Sequence, residues 1–323
     1  MTLFFRHWFL IALAVVLSAG MAWPTQFAPL VDGIPRSWLV ASVMFLMALP
    51  LPLAQLTATV RNSGPAWLAV AINSGLAPIL GCGAGSLLPT ALAAGMIVAT
   101  SVPCTMASAA VWTRRGGGNE ATVLLVTIIT SLSCFLVLPA WLWLLLSAHV
   151  SLDFSALSQE LLLRVVLPIL AAQVVRQVPP IGAWATAQRV ALSTTSQIGI
   201  LLMVLMGVVS SSQALATPDL EAPTPLDWFL LLAGVIGVHC ILLWLGWRLS
   251  RWLGFSYAET LAVALAGSQK TLPVGLEVAP HFGGLAVLPI VVYHVTQLVI
   301  DTVLIERLRE PPGLVSSPSA DLG

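Results

Sequence analysis

Lys270 is the single lysine in a chain of 323 residues, and it lies in GSQKTLPVG, a polar interruption of an apolar run. A cation near the middle of a bilayer costs about 3 kcal/mol or more, so this one must face protein or water and have oxygen partners. Such a charge has three uses: it attracts an anion, stands in for a metal ion, or exchanges a proton. Ser268, Gln269 and Thr271 flank it, while Gly267 and Pro273 break the helix that carries it. A second run, ATSVPCTMASAAVW, sets Pro103 among Thr100, Ser101, Thr105 and Ser108. A helix broken inside lipid leaves amide hydrogens and carbonyls unpaired, which is tolerated where they line a polar cavity or hold a ligand. Two such breaks at related positions predict one binding site. The lysine's candidate partners are carbonyls at the end of a half-helix, or Asn73, Thr105 and Ser108 reaching in from other spans.

Other ionisable residues offer less chemistry. Glu277 lies two turns beyond Lys270 on the same face, about 10 Å along the axis, so a direct pair needs the backbone break to bring them together. His239 reads as a proton relay or, more simply, as a histidine bonded to a neighbouring carbonyl. Glu259 and Asp301 fall near span ends, where Arg248, Arg251 and Arg307 are available as partners. The four cysteines, Cys82, Cys104, Cys134 and Cys240, lie in or beside apolar runs and read as buried thiols. No nucleophile triad, phosphate loop or metal-ligand spacing occurs in the sequence, so neither an enzyme nor a cofactor is expected.

The elements that must position these groups are membrane helices. Hydrophobic residues make up 58% and charged residues 8%, with a mean hydropathy of +0.97, which excludes a soluble enzyme. Thirteen basic and thirteen acidic residues cancel, so no global field points to nucleic acid. Hydrophobic runs between Pro, Gly and charged punctuation predict about ten helices, near 5–23, 37–56, 65–83, 88–113, 120–147, 157–177, 188–210, 227–250, 256–280 and 285–306. The first twenty residues resemble a signal peptide but read better as the first span, since many spans follow. With both termini in the cytoplasm, Arg6, Arg61, Arg114, Arg115, Arg176, Arg189, Arg248, Arg251, Arg307 and Arg309 all fall at cytoplasmic ends, as the positive-inside rule requires. Arg36 is the outer-loop exception, and Arg164 lies inside a span near its outer end, where it could snorkel. Asp32, Asp153, Asp219, Glu221 and Asp227 occupy outer loops, and Trp23, Trp38, Trp67, Trp112, Trp184, Trp228 and Trp252 lie near the span ends.

Sliding the chain on itself aligns its breakers and polar residues at an offset of about 166. Thr105 then falls on Thr271, Gly117 and Gly118 on Gly283 and Gly284, Thr130 on Thr296, and Asn73 on His239. Five spans per half is an odd number, so the second half is expected upside down relative to the first. The expected fold is an all-α polytopic membrane protein with two inverted five-helix repeats, residues 1–150 and 151–310, and discontinuous crossing helices four and nine. Residues 311–323 read as a disordered cytoplasmic tail.

At these motifs the sequence resembles the bile acid:sodium symporter family, especially its branch with a lysine in the ninth span. MFLMALPLPL from Met44, NSGLAPILG from Asn73, PCTMASAAVWTRRGGGNEATVLLVTIITS from Pro103 and GSQKTLPVG from Gly267 carry the resemblance. It implies that spans three to five and eight to ten form a core, that spans one, two, six and seven form a panel, and that substrate binds between them beside the crossing. By the same resemblance the sodium-ligand positions are Asn73, Ser108, Thr127 and Ser268, with Gln269 beside them. Ala109, Val123 and Ala264 stand where the family pattern has an asparagine, a serine and the acidic residue shared by both sodium sites. Losing that carboxylate removes the strongest hard-oxygen ligand, and Lys270 lies close enough to supply the missing charge.

The expected function is secondary transport of a small organic anion by alternating access, in a bacterial inner membrane, with sodium or a proton as coupling ion. Two alternatives remain: a metalloid permease, because Cys104 sits in span four as in related arsenite permeases, or a receptor that binds without transport. The panel face reads as generic apolar residues, so substrate identity is not legible, and the oligomeric state stays open.

Overall fold

The computed structural model describes residues 2–52, 60, 63–106, 108–146, 152–216 and 222–308, the first six of these by their backbone alone. The regular elements among the described residues are helices. They are α1 (Thr2–Ala22), α2 (Pro24–Asp32), α3 (Arg36–Ala48), α4 (Gly64–Gly85), α5 (Thr90–Ser101), α6 (Ser108–Arg115), α7 (Glu120–Leu146), α8 (Phe154–Arg176), α9 (Pro179–Ala187), α10 (Arg189–Leu215), α11 (Pro225–Trp252), α12 (Tyr257–Ser268), α13 (Leu272–Val278) and α14 (Val287–Leu308). Two short 3-10 turns, Ala279–Phe282 and Gly284–Ala286, join α13 to α14.

Six helices, α4, α7, α8, α10, α11 and α14, are long and apolar enough to cross a bilayer, and a seventh crossing arises if α1 and α2, bent by 106°, count as one. The chain is an integral membrane protein. Helix α3 stops at Ala48, short of the expected end at residue 56, because Pro50 and Pro52 cannot donate to the helical ladder. Its last carbonyls, on Ala48 and Leu49, are taken by Gln173 Nε2 at 2.6 Å and Arg176 Nη1 at 2.9 Å. Helices α2 and α9 are connectors that the hydrophobic pattern did not distinguish. Arg61, Asp219, Glu221, Arg309 and residues 311–323 lie outside the described residues, as does the side chain of Arg6. The cysteine expectation holds for Cys104 and Cys134, whereas Cys82 is half-buried and Cys240 exposed.

One order of elements occurs twice. In α4 to α7 and again in α11 to α14, a long helix precedes a twelve-residue helix, an unwound stretch, a short helix and another long helix. Helices α1, α3 and α10 pack chiefly on one another, α8 packs on both α3 and α7, and α4, α5, α7, α11, α12 and α14 form a second group. Small residues let the second group close up, as packing in a membrane demands. A Cβ on Gly95 of α5 would stand 2.3 Å from the Ala286 carbonyl oxygen, and one on Gly246 of α11 would stand 2.8 Å from the Ala264 Cα. Gly95→Ala is therefore expected to destabilise by about 1–3 kcal/mol, since backbone and not a flexible side chain must yield. An unchanged melting temperature in detergent would contradict this packing.

Candidate functional site

The two interruptions meet. Pro103 has no amide hydrogen and holds Val102 in extended backbone, so α5 ends there (φ −66°, ψ 156°). Gln269 is likewise extended after α12 (φ −76°, ψ 141°), and Pro273 starts α13 in its first turn. Between them the Thr271 amide donates to the Pro103 carbonyl at 2.9 Å.

Lys270 is 2% exposed at this junction. Its Nζ donates to the Asn73 carbonyl at 2.5 Å, the Val102 carbonyl at 3.1 Å and the Asn73 Oδ1 at 3.2 Å. Each acceptor has a structural origin. Val102 ends α5, where helix carbonyls lack partners and the dipole is negative. Asn73 lies in a π-helical stretch, Ala71–Leu76, inside α4. Such a stretch disturbs the helical ladder and frees carbonyls; Asn73 O goes to the lysine and Ser74 O to Trp141 Nε1 at 2.6 Å. The Asn73 amide completes the junction by donating to the Gln269 and Ala266 carbonyls at 2.9 and 3.0 Å. The Lys270 backbone is clamped as well: its amide donates to Gln297 Oε1, and Gln297 Nε2 donates back to its carbonyl, both at 2.8 Å.

A second network runs from the crossing into the core. Ser108 Oγ donates to Gln269 Oε1 at 2.8 Å, and Gln269 Nε2 donates to Asp301 Oδ2 at 2.5 Å. Asp301 Oδ1 faces His239 Nε2 at 3.0 Å, while His239 Nδ1 faces the Ser268 carbonyl at 3.3 Å, which also accepts from Tyr293 OH at 3.0 Å. Both ring nitrogens of His239 thus face oxygen atoms, one on the Asp301 carboxylate and one on the Ser268 carbonyl. Asp301 is fully buried, which corrects its placement beside surface arginines. Thr127 Oγ1 donates to the Thr105 carbonyl at 3.2 Å, and Ser108 Oγ lies 3.1 Å from Thr105 Oγ1. Ala109 and Ala264 are buried, and the carboxylate near the crossing is Asp301 of α14.

Glu277 does not join Lys270. It pairs with Arg164 in the π-helical stretch Leu162–Val166 of α8, and Arg164 pairs also with Glu160. His281 lies 3.3 Å from Glu160. Arg164 is thus an ion-pair partner and not a free snorkelling cation. Glu259 caps α12 in a box with Ser256.

A pocket of about 230 Å³ opens beside the crossing, between the two helix groups. Thr105, Ser108, Thr271 and His294 form one wall, Ser193, Ser196 and Gln197 of α10 another, with Trp8, Phe9, Leu10 and Met47 on the apolar side. Trp112 and Arg115 line it as well. The α10 hydroxyls and amide correct the expectation of a wholly apolar panel face. Asp301, Gln297, Tyr293 and His294 were not singled out as site residues by sequence. The signal available was polar residues at helical spacing along α14, at 294, 297 and 301.

Residues 7–310 match the SBF-like CPA transporter family. The chain is 25% identical to Sodium/bile acid cotransporter 7-A of Xenopus laevis, over 94% of its own length and 92% of that protein's. It is 27% identical to Probable sodium/metabolite cotransporter BASS4, chloroplastic, of Arabidopsis thaliana, over 68% of this chain and 53% of that one. To Sodium/bile acid cotransporter 7 of Rattus norvegicus the identity is 25%, over 67% and 64%. A match that runs through every described helix, joined to apolar spans around a polar crossing, makes this chain a member of the SBF-like CPA transporter family, among the bile acid:sodium symporters, and a secondary transporter.

Proposed function

We propose that this protein carries a small organic anion across a bacterial inner membrane by alternating access, with Lys270 standing where its relatives hold a sodium ion. The observation that carries the reading is the convergence of three oxygens on Lys270 Nζ, one of them at the end of a broken helix. Hard oxygens arranged this way suit an alkali cation, and an ammonium fills the same role with its charge built in. Asn73, Ser108, Thr127, Ser268 and Gln269 surround the crossing as former ligand positions, with Thr105 and Thr271 at the adjoining pocket.

Ten crossings follow if the bent pair, α3, the α5–α6 pair and the α12–α13 pair each count as one beside the six long helices. The twice-repeated element order supports two inverted repeats, 1–150 and 151–310, with both termini cytoplasmic. An odd number of spans per repeat inverts the second half, and rocking one helix group against the other would expose the pocket alternately. The buried His239–Asp301 pair is the candidate for proton coupling, so of the two ions considered, sodium and a proton, this reading favours the proton.

Uptake of a panel of organic anions into liposomes under imposed sodium or proton gradients tests the reading. The expected result is uptake without a sodium requirement; strict sodium dependence would overturn the replacement of that ion by Lys270. The metalloid alternative has less support, because Cys104 is fully buried and its thiol is engaged by Thr127 Oγ1 at 3.7 Å. Binding without flux in the same liposomes would favour the receptor alternative.

A further inference from the structure

Helix α10 meets the second helix group in two different ways along its length. Its first half stands back: Ser193, Ser196 and Gln197 line the pocket, with His294, Leu298 and Thr302 of α14 on the facing side. Its second half touches. Residues 203–209 are buried throughout, and a Cβ on Gly207 would stand 2.5 Å from Val287 Cγ1, at the start of α14, and 3.5 Å from Leu276 Cδ2 of α13. One turn on, Ser211 Oγ donates to the Gly284 carbonyl at 2.6 Å, and a Cβ on Gly284 would stand 2.9 Å from the Ser210 carbonyl oxygen. Gln197 and Gly207 are about 15 Å apart along the helix, so the same helix lines the pocket at one end and closes it at the other.

An ion pair crosses the closed end as well. Glu277 follows Leu276 on α13, and its partner Arg164 lies in the stretch of α8 that packs on α3. Neither contact is of a kind that binds two surfaces permanently. Glycines bring backbones close without interlocking side chains, and a pair whose arginine is 36% exposed is weakened by water. We propose that this end is a gate, in which the Ser211–Gly284 and Arg164–Glu277 contacts hold the pocket shut and part together when it opens to that side. The gate deepens the transport reading, on which its purpose rests, but its movement is measured without substrate. Its chemistry also sets the response to a variant. Without Arg164, the Glu277 carboxylate is stranded in the closed form and regains water only when this end opens, so the loss drives the gate open.

Electron–electron distance measurement on the full-length protein in lipid nanodiscs tests this, with nitroxides on Gln213→Cys of α10 and Thr90→Cys of α5 and with Cys82 and Cys240 changed to serine. Both label sites are exposed, and α5 begins at this end, where Gly95 meets Ala286. Arg164→Ala should add a population longer than the wild-type distance by on the order of 5 Å. Adding Glu277→Gln should remove most of it, because no charge is then stranded. A distribution in Arg164→Ala equal to that of the wild type, with only the melting temperature lowered, would make the pair merely structural and overturn the gate. So would a longer population that Glu277→Gln leaves undiminished. In a second experiment Gly207→Cys is combined with Val287→Cys, since a Cβ on Gly207 would stand 3.6 Å from the Val287 Cβ, within disulfide reach. Oxidation should cross-link the pair and stop anion uptake into liposomes, and dithiothreitol should restore it. Failure to cross-link, or uptake undiminished in the cross-linked protein, would also overturn the gate. The longer distance in Arg164→Ala combined with no uptake of any anion by the wild type would instead overturn transport and leave the gate standing.

Discussion

Lys270→Met is expected to lower anion uptake by about a hundredfold or more while the protein still inserts and folds. The methionine side chain fits the volume but supplies no donor, so the Val102 carbonyl and both oxygens of Asn73 lose their common partner. An unsatisfied buried acceptor costs about 1–3 kcal/mol, and here three are affected at a point where two helix ends must keep their relation during transport. The fold should persist because other bonds hold the crossing: Thr271 to Pro103, Asn73 to the Gln269 carbonyl, and Gln297 to both sides of the Lys270 backbone. Uptake in proteoliposomes, with circular dichroism and gel filtration as controls on folding, makes the measurement; uptake at the wild-type rate would refute the role of the ammonium. Lys270→Ala sharpens the test, because it leaves the same oxygens around an empty volume. Its melting temperature should rise with sodium chloride and not with choline chloride at equal ionic strength, whereas the wild type should respond equally to both.

Arg164→Ala is expected to destabilise the protein by about 2 kcal/mol, and Glu277→Gln added to it should restore most of the loss. Removing one member of a buried ion pair costs about 3–5 kcal/mol, because the remaining charge is stranded. The Glu277 side chain is 1% exposed and that of Arg164 36%, so the lower figure allows for solvent on the arginine side. Helix α7 spans 27 residues, or about 40 Å, and Arg115 lies just before it while Glu160 follows soon after it. The pocket's arginine and the Glu160–Arg164–Glu277–His281 cluster therefore occupy opposite ends of the molecule, and the cluster ties α8 to α13 at the end away from Arg115. Thermal melting of the single and double variants supplies the cycle; additive losses would show that the pair does not act as one.

His281 gives this end a pH dependence of definite sign. Its hydrogen bond to Glu160 raises its pKa above the ordinary 6.5, with partial burial opposing and the charges of Glu160 and Glu277 assisting. The stabilisation is therefore complete below about pH 6.5 and is lost as pH rises through the higher folded value. Melting temperature should fall over that interval in the wild type and stay flat in His281→Gln.

Lys270 and the two breaks were legible because each departs from an apolar background in which a polar group is costly. Asn73 and His239 both meet carbonyls at the end of α12, Asn73 those of Ala266 and Gln269 and His239 that of Ser268. Asp301 was misplaced for a related reason: Arg307 lies nearby in sequence, and a pairing one or two turns away is the simplest local reading. Its actual partners, His239 and Gln269, come from helices far away along the chain. Glu277 was assigned to the correct helix, yet its partner Arg164 lies on α8.

Hydrophobic runs, Pro and Gly breaks and a solitary lysine determined by themselves that this chain lives in a membrane and carries a charged interruption. The solvent imposes that pattern on every span separately, so it can be read one segment at a time. Which oxygens hold the ammonium, which carboxylate approaches the crossing and which arginine faces the pocket were decided only when helix faces met. Those choices depend on packing between segments 32 to 197 residues apart, and helical periodicity names a face without naming its neighbour.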